Sequence, residues 1–566
     1  MAKAESSIRI GTKLLRNRIT FAPTVKFDFT DDSGKANERL VSHYVERARG
    51  GCGLICVEAT AVTPGGRFCK THMGLWNDEQ MEGHKELTAG CHEHGAVVII
   101  QLNHTGYTAN PECGPAIGPS AMKRQGFRGE YTTIAMSISE IHEMQQAFVY
   151  AAVRAKKAGY DGVQLHGCHG YLMNQFMAPS TNLREDEYGG SVENRARFCG
   201  EIIRRVRELC GNDFLISVRT SGYDNDLADA VKVAEEYVKA GCDYLQVSSG
   251  ISSLESLPAF HDPRVSDIQS LGAYFHEHFA GRVPVSCVGG LTEPGQIRYL
   301  LENDYVDTVD VARAILADPN FANAVITGES YVKCYGCKAC QYGPFMPHTC
   351  PAERKRKKMN SDAWGQSVVE KALEYANYQW VATEANVMHG VDEDGHFVDT
   401  PDVTWKGEVL ACGWWKVNET NVGIPYGWGN ASTLEDFEKG LAEGKYAGNV
   451  PEDKSRYGSR YTVGVDCSGL LTICWELPKK IATRDIPLYA DVVDNLDEIR
   501  QGDVFAKVGS HVMFFKEFVN DGKTEVVIID STRGTGKVSQ RIENVAELFR
   551  KGYKIYRKKP MWKAKE

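Results

Sequence analysis

Between residues 15 and 325, eight short apolar, β-rich runs alternate with amphipathic helical stretches, and few architectures accommodate such a repeat. The runs lie at 19–23, 54–59, 97–102, 162–166, 215–220, 244–249, 283–288 and 308–312. Helical patterns follow them, among them ERLVSHYVERARGG, EIHEMQQAFVYAAVRAKKAG and VENRARFCGEIIRRVREL. Eight such units predict an α/β fold of the TIM (β/α)8 barrel type, a ring of parallel strands inside a ring of helices. A doubly wound open sheet usually has fewer strands and a glycine-rich first turn, whereas the first strand here runs into APTVKF.

At 566 residues the chain is too long for one ordinary core. The repeat predicts a first domain over 1–330. The pattern then breaks into a cysteine-rich loop, and ERKRKK at 353–358 reads as a solvated basic connector, so 331–360 forms a second segment. From 361 to 566 the composition turns Trp- and Tyr-rich and ends in strands around HVMFF and EVVIID, a separate α+β domain. A formal net charge of -9 supplies no basic footprint for nucleic acid or an acidic membrane. The start, MAKAESSIRIGTKLLRNRIT, lacks the apolar core of a signal peptide, and no later run is apolar enough to span a bilayer; a cytoplasmic location is expected. In that setting 17 cysteines read as reduced thiols, metal ligands or nucleophiles rather than a disulfide framework.

The stretch 162–197, GVQLHGCHGYLMNQFMAPSTNLREDEYGGSVENRAR, sets His166, His169 and Tyr171 past the fourth strand, at the C-terminal face where parallel barrels assemble their chemistry. Two imidazole donors aimed at one carbonyl oxygen would stabilise the charge that develops as hydride reaches the β-carbon of an enone or enoyl thioester, and Tyr171 would protonate the α-carbon. The run closely resembles the signature of the old yellow enzyme family, flavin-dependent reductases of activated alkenes. That resemblance covers about residues 8–325 and implies FMN as cofactor, NAD(P)H as reductant and a small enone or enoyl substrate. LRNRITFAP is similar to the family's first strand, with Pro23, Thr24 and Val25 at flavin-contacting positions; many relatives place threonine or cysteine where Val25 stands. Ala59 matches the second strand's end, and Gln101, in QLNHTG, would meet the pyrimidine edge of FMN. Arg219 would stabilise the reduced ring. Gly289 and Gly290 of CVGGL, with Ala312 and Arg313 of VARAIL, would hold the phosphate through backbone N–H groups; the family usually has glycine where Ala312 stands.

Cys334, Cys337, Cys340 and Cys350 read C-x2-C-x2-C-x9-C, a spacing able to wrap one metal centre. Its place beyond the barrel resembles the 2,4-dienoyl-CoA reductase branch of the family, which implies a 4Fe–4S cluster; structural zinc and unliganded thiols are the alternatives. Relatives usually show three residues before the third cysteine and carry later dinucleotide-binding domains. No G-x-G-x-x-G follows residue 350, so electrons must come from a separate donor protein or from the barrel flavin, with direct reduction by NAD(P)H the simpler route.

In GVDCSGLLTICWEL, Cys467 opens an amphipathic helix whose unpaired N–H groups favour thiolate. His511 starts the strand in GDVFAKVGSHVMFF. Counting out from a two-residue turn at 521–522 pairs 511 with 532, so Asp530 shares a face with His511 and Ser531 points away. Nucleophile, base and orienter are thereby in hand. The arrangement resembles the NlpC-type cysteine peptidases of the papain-like superfamily over about residues 365–558, with a PY-x-WG motif at 425–429 that implies Tyr426 lines the site. Relatives act on peptidoglycan stem peptides outside the membrane; here a cytoplasmic amide, a thioester or recycled wall peptides are expected, and a retained fold without activity is the alternative. The combined reading is an FMN-dependent ene-reductase fused to a cysteine hydrolase-like domain. Two others compete with it: hydrolysis as the main activity with the barrel as accessory redox module, and a binding scaffold with structural zinc. An oligomer is compatible with each.

Overall fold

Strand pairing in the first of two units, Met1–Arg356, closes on itself. The computed structural model describes residues 3–27, 29–126, 129–224, 226–254, 257, 259–337, 340, 350–402, 413–450 and 458–559. In this unit β1 (Ile19–Phe21), β2 (Leu54–Ala61), β3 (Val97–Asn103), β4 (Gly162–Gly167), β5 (Leu215–Ser221), β6 (Tyr244–Ser248), β7 (Val285–Val288) and β8 (Thr308–Val311) form a closed barrel in the order β4-β5-β6-β7-β8-β1-β2-β3. Every pairing in the ring is parallel. All eight expected runs are strands, with ends displaced by one or two residues. Two of those displacements have a direct cause. Pro23 and Pro284 have no N–H for the ladder, so β1 stops before the first and β7 starts after the second.

Alternation along the strands sorts the side chains. Ile55, Val98, Leu165, Val218, Leu245 and Val309 point outward and join the core shared with the helices, each fully buried. Burial of that kind contributes roughly 1.5–3 kcal/mol per side chain. The inward positions are different. Near the strand starts Leu54, Ile99, Leu215 and Tyr244 pack against Ile10 and Leu15 of an N-terminal hairpin, which closes that end. Above them the inward residues are polar and partly satisfy one another: Gln101 Nε2 donates to Gln164 Oε1 at 2.7 Å, and Gln246 Nε2 and Ser286 Oγ donate to Asp310 at 2.7 and 3.0 Å, while Gln164 Nε2 and Gln246 Oε1 have no partner. Such groups would be costly in a dry interior without these partners.

Helices of the ring begin at side-chain caps: Asn37 for Glu38–Arg49, Ser137 with Glu140 as a capping box for Ile138–Lys157, and Ser191 for Val192–Cys210. The second half of the 162–197 stretch is structural. Arg184 donates to the carbonyls of Pro119 and Met136, and Arg195, with a side chain only 5% exposed, pairs with Asp229 at 2.6 Å.

The second unit, Lys357–Glu566, holds a six-stranded antiparallel sheet. Its strands are β9 (Ala490–Val493), β10 (Val504–Lys507), β11 (His511–Phe518), β12 (Glu525–Thr532), β13 (Lys537–Asn544) and β14 (Lys554–Lys558), in the order β9-β14-β10-β11-β12-β13. Helix Cys467–Cys474 packs on β11 and β12, with Leu470 and Leu471 in a core shared with Val512, Phe514 and Ile529.

The basic run at 353–358, expected as a solvated connector, lies in the helix Pro351–Asn377. Lysine and arginine are good helix formers and Pro351 suits a first helical position, so charge alone did not argue against a helix. Among the described residues no helix is long and apolar enough to cross a membrane.

Candidate active site

The chain turns sharply where β4 ends. His169 adopts a φ of 62°, a left-handed conformation strained for a residue with a Cβ, and Tyr171 then caps the short helix Leu172–Met177. This turn folds the three proton-handling groups together. His166 Nε2 lies 3.0 Å from His169 Nδ1, and His169 Nε2 lies 2.8 Å from Ser248 Oγ at the end of β6. The Tyr171 ring stands edge-on to His166, centroids 4.9 Å apart, and Phe68 flanks it at 5.0 Å. In one respect the geometry departs from expectation: the imidazoles bond each other instead of converging on a shared point. Two neutral rings held this close satisfy their polar atoms mutually, so a substrate oxygen must open that bond to use both.

Electrostatics fix the protonation states. Burial, with the neighbouring His169 and the Arg219 charge, holds His166 well below the usual histidine range, and desolvation of its ring with the Arg219 charge lowers the exposed His169 as well. Burial and the adjacent Cys168 push Tyr171 up to about 12. At neutral pH the site therefore holds two uncharged imidazoles and a protonated phenol.

Arg219 sits opposite His166 in the β4–β5 register, 6% exposed, and its Nε has no hydrogen-bond partner. Gln101 spends its amide on Gln164, whose own Nε2 is left unpartnered. Thr24 donates to the Ala22 carbonyl at 3.1 Å, in the segment with Pro23 and Val25 just past β1, and the Ala59 carbonyl on β2 lies 2.6 Å from His72 Nε2. Gly289 and Gly290 leave β7 with φ of 111° and 67°; a Cβ on Gly289 would stand 2.1 Å from Ile268 Cγ2. Ala312 and Arg313 follow β8, Arg313 opening the helix Arg313–Ala317. Buried donors without protein partners, beside backbone loops at two adjacent strand ends, suit a planar hydrogen-bonding cofactor with a phosphate, and FMN meets that description.

Arg313 also lines a cavity with Leu316, Cys334, Cys337, Cys340 and Cys350, so the four spaced cysteines face one space. Burial raises the Cys340 thiol, and the neighbouring Cys334 and Cys350 add to the shift.

Residues 6–330 match the NADH:flavin oxidoreductase / NADH oxidase family. The chain belongs to that family. It is 37% identical to an NADH oxidase of Thermoanaerobacter brockii over 58% of this chain and 52% of that one, thus spanning about half that relative's length. It is 36% identical to an NADPH dehydrogenase of Halalkalibacterium halodurans over 56% of this chain and 92% of the relative. Among solved structures, a 2-naphthoyl-CoA reductase complex superposes with a TM-score of 0.58 at 25% identity, covering 62% of this chain and 58% of the other. Morphinone reductase gives 0.52 at 25% identity, covering 62% and 96%. Within this flavin oxidoreductase barrel, sequence reasoning passed over Ser248, Phe68 and Cys168. Inspecting the tip of every strand would have drawn attention to Ser248; the ring of Phe68 arrives from a loop and left no signal.

The family match ends before the second unit, where Cys467 opens the helix Cys467–Cys474. Asp466 caps it, accepting from Gly469 N at 2.6 Å. His511 reaches Cys467 on one side and lies 2.5 Å from Asp530 on the other. Arg541, on β13, grips Asp530 through Nη2 at 2.8 Å and Nε at 3.3 Å. The hairpin arrives at the counted pairing by another route: Phe514 lies opposite Ile529, but a bulge between Phe515 and Glu517 offsets a longer turn. Tyr426 is 5% exposed, and burial beside Cys467 raises its hydroxyl. Burial pulls His511 down, yet its bond to Asp530 and contact with Cys467 outweigh this and raise it to about 9. Burial pushes Asp530 up, but His511 and Arg541 hold it below the usual carboxylate range.

A histidine raised in the folded state adds stability that is complete below its unfolded pKa near 6.5 and fades as pH climbs through about 9. The stability advantage of the parent over His511→Gln should therefore shrink between pH 6 and pH 10 in denaturant titrations; an advantage that stays constant or grows contradicts the ion-paired arrangement.

Proposed function

We propose that the barrel reduces the C=C bond of an α,β-unsaturated carbonyl or enoyl thioester with hydride derived from NAD(P)H, and that His166, His169 and Tyr171 are the groups that handle the substrate. The observation carrying this reading is the meeting of two neutral imidazoles and a protonated phenol at one strand tip, beside the unmatched donor of Arg219. Pro23, Thr24, Val25, Ala59, Gln101 and Arg219 would hold the isoalloxazine, and Gly289, Gly290, Ala312 and Arg313 the phosphate. Bound there, FMN supplies the two-electron carrier between nicotinamide and alkene. The imidazoles, uncharged and hydrogen-bonding, orient the carbonyl and stabilise negative charge on its oxygen as the β-carbon gains hydride. Tyr171, whose raised pKa keeps its proton in place, delivers it to the α-carbon. Likeness to a reductase of an aryl-CoA thioester supports including thioesters in the substrate class. Replacing Tyr171 with Phe should lower enone turnover by about 10²–10⁴-fold while leaving reduction of the flavin by NADPH intact, as followed by stopped-flow absorbance. Undiminished turnover would remove Tyr171 from the mechanism.

Cys334, Cys337, Cys340 and Cys350 are proposed to carry a 4Fe–4S cluster, supported by four thiols lining one cavity at a spacing suited to such a centre. Anaerobically purified protein should contain iron and acid-labile sulfide at about four each per chain, both lost in Cys337→Ala. Zinc without iron would assign the site to a structural metal instead.

A second activity is proposed for the Lys357–Glu566 unit: hydrolysis or transfer at an amide or thioester by an NlpC-type, papain-like site. The His511–Asp530 hydrogen bond, with Cys467 beside His511, supports it. Cys467 Sγ would attack the carbonyl, His511 would protonate the leaving group, and the acyl-thioester would then pass to water with His511 as base. Cys467→Ala should lower hydrolysis of an activated thioester at least about 10³-fold without altering the unfolding temperature; hydrolysis that survives the change excludes this cysteine as nucleophile.

A further inference from the structure

Between the two barrel imidazoles lies a third donor that neither the fold nor the reduction requires. One ligand atom from each of His166, Cys168 and His169 lies within 4.8 Å of the other two. Cys168 is fully buried and points its thiol into this group, where the Arg219 guanidinium also reaches it. Two neutral imidazoles whose nitrogens stand 3.0 Å apart cannot both present lone pairs to each other; one must carry the hydrogen between them. A cation placed there would use both lone pairs at once.

Ser248 favours the tautomer of His169 that this needs. His169 Nε2 faces the Ser248 hydroxyl at 2.8 Å; with its hydrogen directed there, Nδ1 is left as the lone-pair nitrogen facing His166. The His166 hydrogen then resides on Nδ1, which has no partner in the protein. Nitrogen, nitrogen and sulfur form a borderline-soft donor set that suits Zn2+ and disfavours Mg2+ or Ca2+. Tetrahedral zinc with nitrogen ligands at 2.0–2.1 Å needs its nitrogens about 3.3 Å apart, so the rings have only to part by a few tenths of an ångström.

We propose that His166, Cys168 and His169 bind a Zn2+ ion, with water at the fourth position, and that the ion competes with the substrate carbonyl for the two imidazoles. The ion site stands on the donor geometry alone, whereas the competition rests on the carbonyl assignment made under Proposed function. Binding converts the Cys168 thiol to a thiolate and releases its proton to solvent, so one proton leaves per zinc bound and affinity rises with pH. Arg219 stabilises that thiolate but repels the dication, which places the expected affinity on the order of micromolar rather than in the range of structural zinc.

The test uses FMN-loaded full-length protein dialysed against Zn2+ at neutral pH, comparing the parent with Cys168→Ser, which preserves size, and Cys168→Ala. Zinc held at the four-cysteine cavity or near Cys467 is common to all three and cancels. The parent should retain about one more zinc per chain than either variant, and zinc should inhibit its NADPH-dependent enone turnover competitively with the alkene. Its inhibition constant should rise at least about tenfold in both variants, as removal of a ligand demands. Equal zinc content in folded, flavin-containing parent and variants overturns the site. A zinc difference without competitive inhibition leaves the site standing but overturns the competition, and that result tells against the carbonyl assignment of His166 and His169.

Discussion

The barrel depends on an unbroken ring of parallel hydrogen bonds, because closure compels every strand to present one face to the helices and the other to a narrow interior. Outward residues such as Val218 and Leu245 supply the apolar burial, which frees the inward positions for polar groups. Those groups must then satisfy one another without water. Gln101 with Gln164, and Gln246 and Ser286 with Asp310, do so in part in the middle of the barrel, and burial raises the Asp310 carboxyl to about 7 despite its two donors. The layers change from apolar at the hairpin-plugged end to partly hydrogen-bonded at mid-height, where Gln164 Nε2 has no partner, and at the mouth, where Arg219 Nε has none. Unmatched donors, Arg219 Nε foremost, occur where a ligand would complete them.

Two histidine centres in one chain are driven in opposite directions by the same physics. His166 is buried, and His169 beside it is exposed but faces the same Arg219 cation; desolvation and that charge act together and both stay neutral. His511 is half-buried, but Asp530 and Cys467 flank its ring and more than offset the desolvation. A neutral pair suits hydrogen bonding to a carbonyl; a charged imidazole suits partnership with a thiolate. Arg541 matters to the second centre because a carboxylate shielded from water needs more than one partner to remain ionised, and its grip on Asp530 provides that.

The 162–197 stretch performs two tasks on one length of chain. Its first third projects the imidazoles and the phenol, held by a strained φ at His169. The remainder, through Arg184 and Arg195, anchors the following loop and helix by buried hydrogen bonds and an ion pair. Strain at the tip persists because the flanking segments are over-determined.

The eight strands, the helices between them and the composition of the site were legible in the amino-acid order, because periodicity of two and of 3.6 residues is a local property and proline marks where a ladder must stop. The spacing of four cysteines and the order Cys467, His511, Asp530 were legible for the same reason. What periodicity could not convey was contact between distant segments. Ser248 meets His169 only because β6 and β4 end at the same face, and Arg541 meets Asp530 only because β13 lies beside β12. The hairpin register reached the counted pairing through a bulge and a longer turn whose effects cancel, which no count along the chain could foresee. Charge marked the basic run at 353–358 as a solvated connector, and its helical form shows only in the turns that continue through it to Asn377. Local sequence thus determined which groups each strand tip carries; tertiary structure decided which of them touch, and through desolvation and neighbouring charge, which carry a proton.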